Sequence, residues 1–235
     1  MTSGAVLATT RFKDRLLELA RRHPCSSHVV FGELSRAQLD VEAAARLLRN
    51  YDAHASLLRR LLLLAATLMP EPAVGFVLEN VRNEYGNGSY ADNHQRQLKD
   101  VAVSAGVSEP MWRAVAITTG VKQFIKQAPQ FYYPIRPRAR AQLAAVAAGA
   151  ITATEILAIS EFKALQKAFA PLGLANHRWF NHVMIEEEHS DESLMLALYF
   201  IEERAAFPDV EAGMKGILDA NCHLYDGLLA ALRSA

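Results

Sequence analysis

Apolar residues recur along most of this chain at intervals of three and four, which is the spacing of one face of an α-helix. Alternation in twos, the pattern of a half-buried β-strand, has little support in any segment. The 235 residues are 51% hydrophobic, so a sizeable core can be buried. No repeat, low-complexity tract or shift in composition marks a boundary. The sequence therefore predicts an all-α protein, a single domain over residues 1–235 with seven to nine helices.

Helix ends can be placed where capping residues, glycines and prolines interrupt the apolar period. Residues 1–9 precede the pattern and are predicted to be extended or disordered. A first helix is predicted to end just before Pro24, and Ser35 to cap a long central helix that reaches Met69. Residues 129–137, PQFYYPIRP, combine prolines with aromatics, which indicates an ordered connection rather than a flexible linker.

Charge and cysteine content argue against several classes of function. The 25 Lys plus Arg balance the 25 Asp plus Glu without a block of like charge, which disfavours nucleic acid or an anionic membrane as the main partner. No secretory signal is recognisable, and the apolar residues 141–159 carry Glu155, which would be costly in lipid. Cys25 and Cys222 cannot form a disulfide framework. These features favour a cytoplasmic enzyme that acts on a small molecule.

The most specific spacing lies near the C-terminal third of the chain. His182, Glu186 and His189 are i, i+4 and i+7, so on a helix they fall within roughly 60° of one another on one face. Imidazoles and a carboxylate on one face suit Fe(II), Mn(II) or Zn(II), and this mixture of ligands favours iron. The alternative is that residues 186–192, EEEHSDE, form a solvated acidic face.

Glu155 stands in the middle of residues 138–169, an Ala-rich segment predicted to be one long helix. An unpaired ionised carboxylate would be costly there, which favours a cation as its partner. A metal ion is one such cation, and a Lys or Arg on a neighbouring helix is the other. Glu161 is a weaker candidate, because Ser160 and Lys163 make its surroundings polar.

Glu84 and His94 bracket a glycine-rich break at residues 85–88, YGNG, in the pattern of a third helix. A break of this kind suits a segment that aims its side chains at a metal or a substrate. The ordinary alternatives are an exposed helix residue for Glu84 and a surface histidine for His94. Glu79, one turn earlier, is a second candidate carboxylate.

Over about residues 10–205 the order of these segments resembles the haem-oxygenase-like di-iron oxidases and oxygenases. The matching features are the helix ending in His23-Pro24, the stretch LSRAQLD, NEYGNG before His94-x3-Leu98, the lone glutamate of TATEIL, and His182-x3-Glu186-x2-His189. The usual last motif of that family is His-x3-Asp-x2-His, and Glu186 replaces the aspartate here. The fold that the resemblance implies is a haem-oxygenase-like helical bundle that binds no haem.

The resemblance also implies a chemistry, with two irons cycling between Fe(II) and Fe(III) and O2 as co-substrate. Its substrates are small molecules such as amino acids or fatty acids, and its reactions are desaturation, C–H functionalisation with ring closure, C–C cleavage and N-oxygenation. An amino-acid-like substrate in a specialised biosynthetic pathway is our expectation. A homodimer is common in the fold. Carried over by position, the implied iron ligands are Glu84, His94, Glu155, His182, Glu186 and His189.

Two other functions stay open. A thiamin-salvage hydrolase or a cofactor-independent oxidase of the same fold would need a catalytic thiol or pocket acids in place of metal ligands. Cys25 and Cys222 are the thiols available. A non-catalytic interaction protein would keep the helical shell and lose ligands, and no clear loss is visible.

An amino-acid-like substrate needs a basic residue for its carboxylate. The candidates, which the sequence does not rank, are Lys122, Lys126, Arg136 and Arg178. The tyrosines that could shape the pocket, or instead belong to an aromatic core, are Tyr51, Tyr132 and Tyr133.

Overall fold

The structure, a computed structural model, describes the backbone of residues 3–133 and 139–234 and the side chains of residues 10–133, 139–180 and 191–234. Within these ranges every regular element is an α-helix or a short 3-10 helix, and no β-strand is present. The predicted all-α class is therefore confirmed.

The α-helices are numbered in chain order. Their bounds are α1 (Ser3–Arg22), α2 (Val29–Arg36), α3 (Val41–Ala66), α4 (Glu71–Glu84), α5 (His94–Ser104), α6 (Glu109–Ala114), α7 (Thr119–Gln127), α8 (Pro129–Tyr132), α9 (Arg140–Phe169), α10 (His182–Arg204) and α11 (Phe207–Arg233). As predicted, the first helix ends just before Pro24.

The predicted long central helix is wrong at its beginning, because α2 and α3 are separate. The Ser35 hydroxyl donates to the carbonyl of Phe31 at 2.8 Å inside α2 and caps no helix. The backbone turns extended at Ala37, with φ −63° and ψ 141°. Asp40 then caps α3 by accepting the N–H of Ala43 at 2.7 Å. The aspartate satisfies a first-turn amide that has no partner inside the helix, so α3 begins there.

The prediction for residues 1–9 is also wrong over residues 3–9, because α1 begins at Ser3, and the first two residues lie outside those that the structure describes. Ala5, Leu7 and Ala8 have high helix propensity and continue the apolar period of the residues that follow. Helix α1 therefore begins at Ser3, within the segment that was predicted to be extended or disordered.

Helix α9 is buried over most of its length and packs against α10 and α11. The stretch Arg140–Leu172 is long and apolar enough to cross a membrane by length and composition. However, 67% of its most apolar window is buried inside the protein. Packing in the core accounts for this composition, since an interior helix is apolar on all sides.

Helices α9 and α11 approach each other through two glycines. A Cβ added to Gly149 would collide with the backbone carbonyl of Val210, and one added to Gly213 would collide with that of Val146. The close approach fixes the position of α9 against α11, and α9 carries Glu155.

We expect Gly149→Ala to lower the free energy of unfolding by about 1–3 kcal/mol, because the added methyl group forces the two helices apart. Urea denaturation measures this change. The matched control is Gly75→Ala on α4, where a Cβ meets nothing within 4 Å. Alanine there should raise stability by roughly 0.5–1 kcal/mol. Equal effects of the two substitutions would contradict the close packing of α9 on α11.

Candidate metal centre

A cavity of about 90 Å³, partly open to solvent, lies among α3, α4, α5 and α9. Glu84, His94 and Glu155, which are predicted ligands from distant parts of the chain, all line it. The sequence placed these residues on three different helical segments, and the fold brings them to one cavity.

Glu84 and His94 lie side by side because the chain reverses direction between α4 and α5. Glu84 is the last residue of α4 and His94 the first of α5. Gly86 has φ 74°, and a Cβ on it would lie 2.6 Å from the backbone nitrogen of Asn93, so only glycine fits this turn. The glycine-rich break thus returns the chain to the end of α4.

The Glu84 carboxylate and the His94 ring are hydrogen-bonded, with 3.0 Å between Oε1 and Nδ1. An ionised carboxylate can only accept, so Nδ1 carries the proton in this pair. The lone pair of the neutral ring is then on Nε2, which is the arrangement that metal-binding histidines adopt. The His94 side chain is 10% exposed and that of Glu84 21%. The alternatives of an exposed glutamate and a surface histidine do not describe this pair.

Glu155 is buried on α9, with 6% of its surface exposed. The amide nitrogen of Asn80, on α4, donates to its Oε1 at 2.6 Å. This contact orients the carboxylate within the cavity. A second hydrogen-bonded carboxylate therefore stands near the Glu84–His94 pair.

His182, Glu186 and His189 all belong to α10, whose first residue is His182. Their side chains lie outside the residues that the structure describes. The backbone supports the i, i+4, i+7 spacing, and α10 packs against α9 and α4, the helices that carry Glu155 and Glu84. Whether these three side chains bind metal stays a prediction.

Glu161 lines the cavity, although its polar neighbours in sequence made it a weaker candidate than Glu155 for a buried carboxylate. It is 8% exposed, and its carboxylate accepts the hydroxyls of Tyr225 at 2.5 Å and Tyr51 at 3.4 Å. Burial raises the pKa of Glu161 to about 7, against the opposing effect of these two hydrogen bonds. Its position four residues from both Leu157 and Leu165 was a signal for burial that the polar neighbours obscured.

His54 is a further buried titratable group in the cavity wall. Its ring lies edge-on to that of Tyr51, with 4.4 Å between centroids. Burial lowers the pKa of His54 to about 3, so the imidazole is neutral at neutral pH.

The donor set fits an iron site in type and in charge. The described acidic side chains of the lining are Asp52, Glu84, Glu155 and Glu161, whereas Arg59 is the described lining residue with a permanent positive charge. Carboxylates grouped in a cavity favour a cation that offsets their charge. Carboxylate oxygens with an imidazole nitrogen are ligands suited to non-haem iron.

The thiol chemistry of the alternative function has no support at this cavity. Cys25 and Cys222 lie beside His23, with the possible ligand atoms of all three within 4.8 Å of one another, but neither cysteine is a lining residue. Burial raises the pKa of the Cys25 thiol to about 12, so this thiol is protonated at neutral pH. A protonated thiol is a poor nucleophile.

Of the predicted carboxylate-binding candidates, the three that the structure describes, Lys122, Lys126 and Arg178, do not line the cavity. Arg178 forms ion pairs with Asp92 at 3.3 Å and with Asp100 at 2.8 Å. Lys122 and Lys126 are exposed on α7. Arg136 lies outside the described residues. Of the candidate tyrosines, Tyr51 and Tyr132 line the cavity and Tyr133 is 38% exposed.

Comparison with known proteins identifies the class. Residues 45–221 match the sequence profile of a family described as iron-containing redox enzymes. The chain belongs to this family, as the sequence motifs predicted. No curated protein sequence is similar enough to match it.

Two crystal structures of a CADD-like protein of unknown function from Nostoc punctiforme have a similar fold. One, at 2.00 Å resolution, has a TM-score of 0.74 and 16% identity and covers 96% of this chain and 99% of its own. The other, at 1.35 Å resolution, has a TM-score of 0.68 and 17% identity and covers 96% of each chain. The predicted haem-oxygenase-like helical fold is confirmed.

We expect the stability of the metal-free protein to depend on the protonation of Glu161. Its pKa of about 7 in the folded state exceeds the ordinary 4.5, so between these values the folded chain binds more protons than the unfolded one. Stability attributable to this group therefore falls as pH rises from about 4.5 to 7. Glu161→Gln should raise the melting temperature by roughly a few degrees at pH 8 and much less at pH 5. Thermal denaturation across this range tests the prediction, and a difference that does not change with pH would contradict it.

Proposed function

We propose that this chain is a non-haem di-iron oxidoreductase that uses O2 to oxidise a small, amino-acid-like substrate. The observation that carries the proposal is the convergence of Glu84, His94 and Glu155 on one cavity, in a member of an iron-containing redox family. The proposed ligands of the two irons are Glu84, His94, Glu155, His182, Glu186 and His189.

Each ligand type contributes differently to such a site. The hydrogen bond to Glu84 would fix the orientation and tautomer of His94, so that Nε2 would be the ring nitrogen available to a metal ion. Asn80 holds the Glu155 carboxylate in place. Iron bound by these groups supplies the redox chemistry that reduces O2 and oxidises the substrate. Glu186 keeps the charge of the family's aspartate with a side chain one methylene longer.

Glu161 is placed to exchange a proton during turnover. In the metal-free protein burial raises its pKa to about 7, so the carboxyl group is divided there between its protonated and ionised forms near neutral pH. A group with this pKa is an efficient general acid or base. Tyr225 and Tyr51 hold its two oxygens. Apolar side chains such as Leu98 and Trp179 complete the wall and limit the access of water.

The substrate we propose is a small acid from specialised biosynthesis, in keeping with a cavity of about 90 Å³. The proposed reaction is one of desaturation, C–H functionalisation with ring closure, C–C cleavage or N-oxygenation. Balanced charge supports a cytoplasmic protein with no nucleic-acid or membrane partner. A homodimer is compatible with this proposal.

Anaerobic titration with Fe(II) should load the wild-type chain with about two irons, since six proposed ligands suffice for two ions. Glu84→Gln should lower the bound iron by about one ion per chain, because the amide loses the charge and holds His94 differently. Metal analysis after desalting measures the stoichiometry.

The matched control for this titration is Glu79→Gln on the same helix. The Glu79 side chain is 55% exposed and pairs with Arg82 at 3.8 Å on the surface. This variant should bind iron like the wild type. If Glu84→Gln binds as much iron as the wild type, or if both variants lose the same amount of iron, then Glu84 is not an iron ligand.

Rapid mixing of the Fe(II)-loaded protein with O2 should produce an absorbance transient that Glu155→Gln weakens or abolishes. The reason is that removal of a buried anionic ligand disfavours the oxidised metal. Stopped-flow absorbance records the transient with and without candidate amino acids. Absence of any O2-dependent change in the fully loaded wild type would exclude the oxidase.

A further inference from the structure

Arg59 on α3 is a buried cation in the wall of the candidate metal centre, with 8% of its surface exposed. A guanidinium stays charged at every physiological pH. Burying such a charge is costly unless an anion compensates it, so buried arginines normally face a carboxylate or a phosphate.

The partners of Arg59 in the described structure are neutral. Nη1 donates to Oδ1 of Asn93 at 3.1 Å, and Nη2 donates to Oε1 of Gln95 at 2.6 Å. The buried Nε has no hydrogen-bond partner. None of the ion pairs of the described residues includes Arg59. The charge is therefore held in place by amides and lacks a bonded anion.

Asp52, an acidic residue of the same cavity wall, is bonded to other groups. Gln95 donates to Asp52 at 3.2 Å and to Ser56 at 2.7 Å, which turns its carbonyl oxygen toward Arg59. Asp52 itself pairs with Arg49 at 3.5 Å. Gln95 thus positions the guanidinium while it separates Arg59 from Asp52.

We propose that Arg59 binds the carboxylate of the substrate. This inference rests on the proposed function and assigns the residue that recognises the carboxylate of its small-acid substrate. The edge formed by Nε and Nη2 has the fork geometry that matches two carboxylate oxygens. The cavity of about 90 Å³ offers space for roughly six water-sized groups. An acid held by Arg59 lies in the same cavity as Glu84, His94 and Glu155.

Two substitutions remove the anion-binding function in different ways. Arg59→Met removes the charge and keeps an unbranched side chain. Asn93→Asp keeps the shape, because Oδ1 alone is used both by Arg59 and by the first-turn amides of α5. The new aspartate gives Arg59 an ion-pair partner that competes with a substrate carboxylate, and aspartate is also a favourable helix cap. The matched control is Arg60→Met, at an exposed position next along α3.

The test is a thermal-shift titration of the full chain, metal-free and in parallel with anaerobic Fe(II). The probes are the protein amino acids and the straight-chain acids from acetate to octanoate, each beside its primary amide. At least one acid should raise the melting temperature of the wild type and its amide should not. Arg59→Met and Asn93→Asp should weaken that affinity roughly 30-fold or more, and Arg60→Met should leave it unchanged. The amino-acid and alkanoic-acid arms distinguish the two sources of the carboxylate.

The proposal is overturned if no acid stabilises the wild type, if amides act as well as acids, or if Arg59→Met keeps its affinity. Iron stoichiometry measured on the same samples separates this failure from that of the proposed function. If iron loads but no acid binds, Arg59 does not bind the substrate, and the di-iron site stands. If an acid binds through Arg59 but iron does not load, Arg59 is an acid-binding residue, and the di-iron site is wrong.

Discussion

The burial of charge on α9 is the constraint on which the rest of this structure depends. The helix is apolar over most of its length and packs tightly on α11, yet it carries Glu155 and Glu161 into the interior. Buried carboxylates persist only where hydrogen bonds, protonation or a cation compensate the lost hydration. Asn80 on α4 and Tyr225 on α11 supply hydrogen bonds, and a metal ion would supply the cation. The helices around α9 thus place hydrogen-bond donors beside the carboxylates of Glu155 and Glu161.

Most of the fold could be predicted from local patterns, because helix period and helix breakers act over a few residues. The end of α1 before Pro24 follows from the proline itself. The break between α2 and α3 could not be predicted with the same security, since Ser35 and Asp40 both have side chains that cap helices. The structure selects Asp40, and Ser35 bonds to its own helix. Which of two suitable residues caps a helix depends on the packing of the whole fold, and a local sequence pattern holds no information about that packing.

The candidate site was predictable where an ionisable residue interrupts an apolar stripe. Glu155 has apolar neighbours in sequence, and its burial follows. Glu161 has the polar neighbours Ser160 and Lys163, and Arg59 is a permanent cation next to Arg60, so residue type alone predicts exposure for both; other helices nevertheless cover them. The approach of Glu84 to His94 depends on the positive φ of Gly86, which the structure shows within the glycine-rich break that the sequence indicated. Long-range burial, rather than residue type, separates the residues that were found from those that were missed.

Anomalous diffraction at the iron absorption edge, on crystals loaded anaerobically with Fe(II), would locate the metal directly. We expect two iron peaks in the cavity, bonded to the carboxylates of Glu84 and Glu155 and to His94, with His182, Glu186 and His189 of α10 as the remaining ligands. Refined coordination distances would assign each ligand without reference to activity. A single peak, or iron bound elsewhere such as beside His23, Cys25 and Cys222, would contradict a di-iron centre in this cavity.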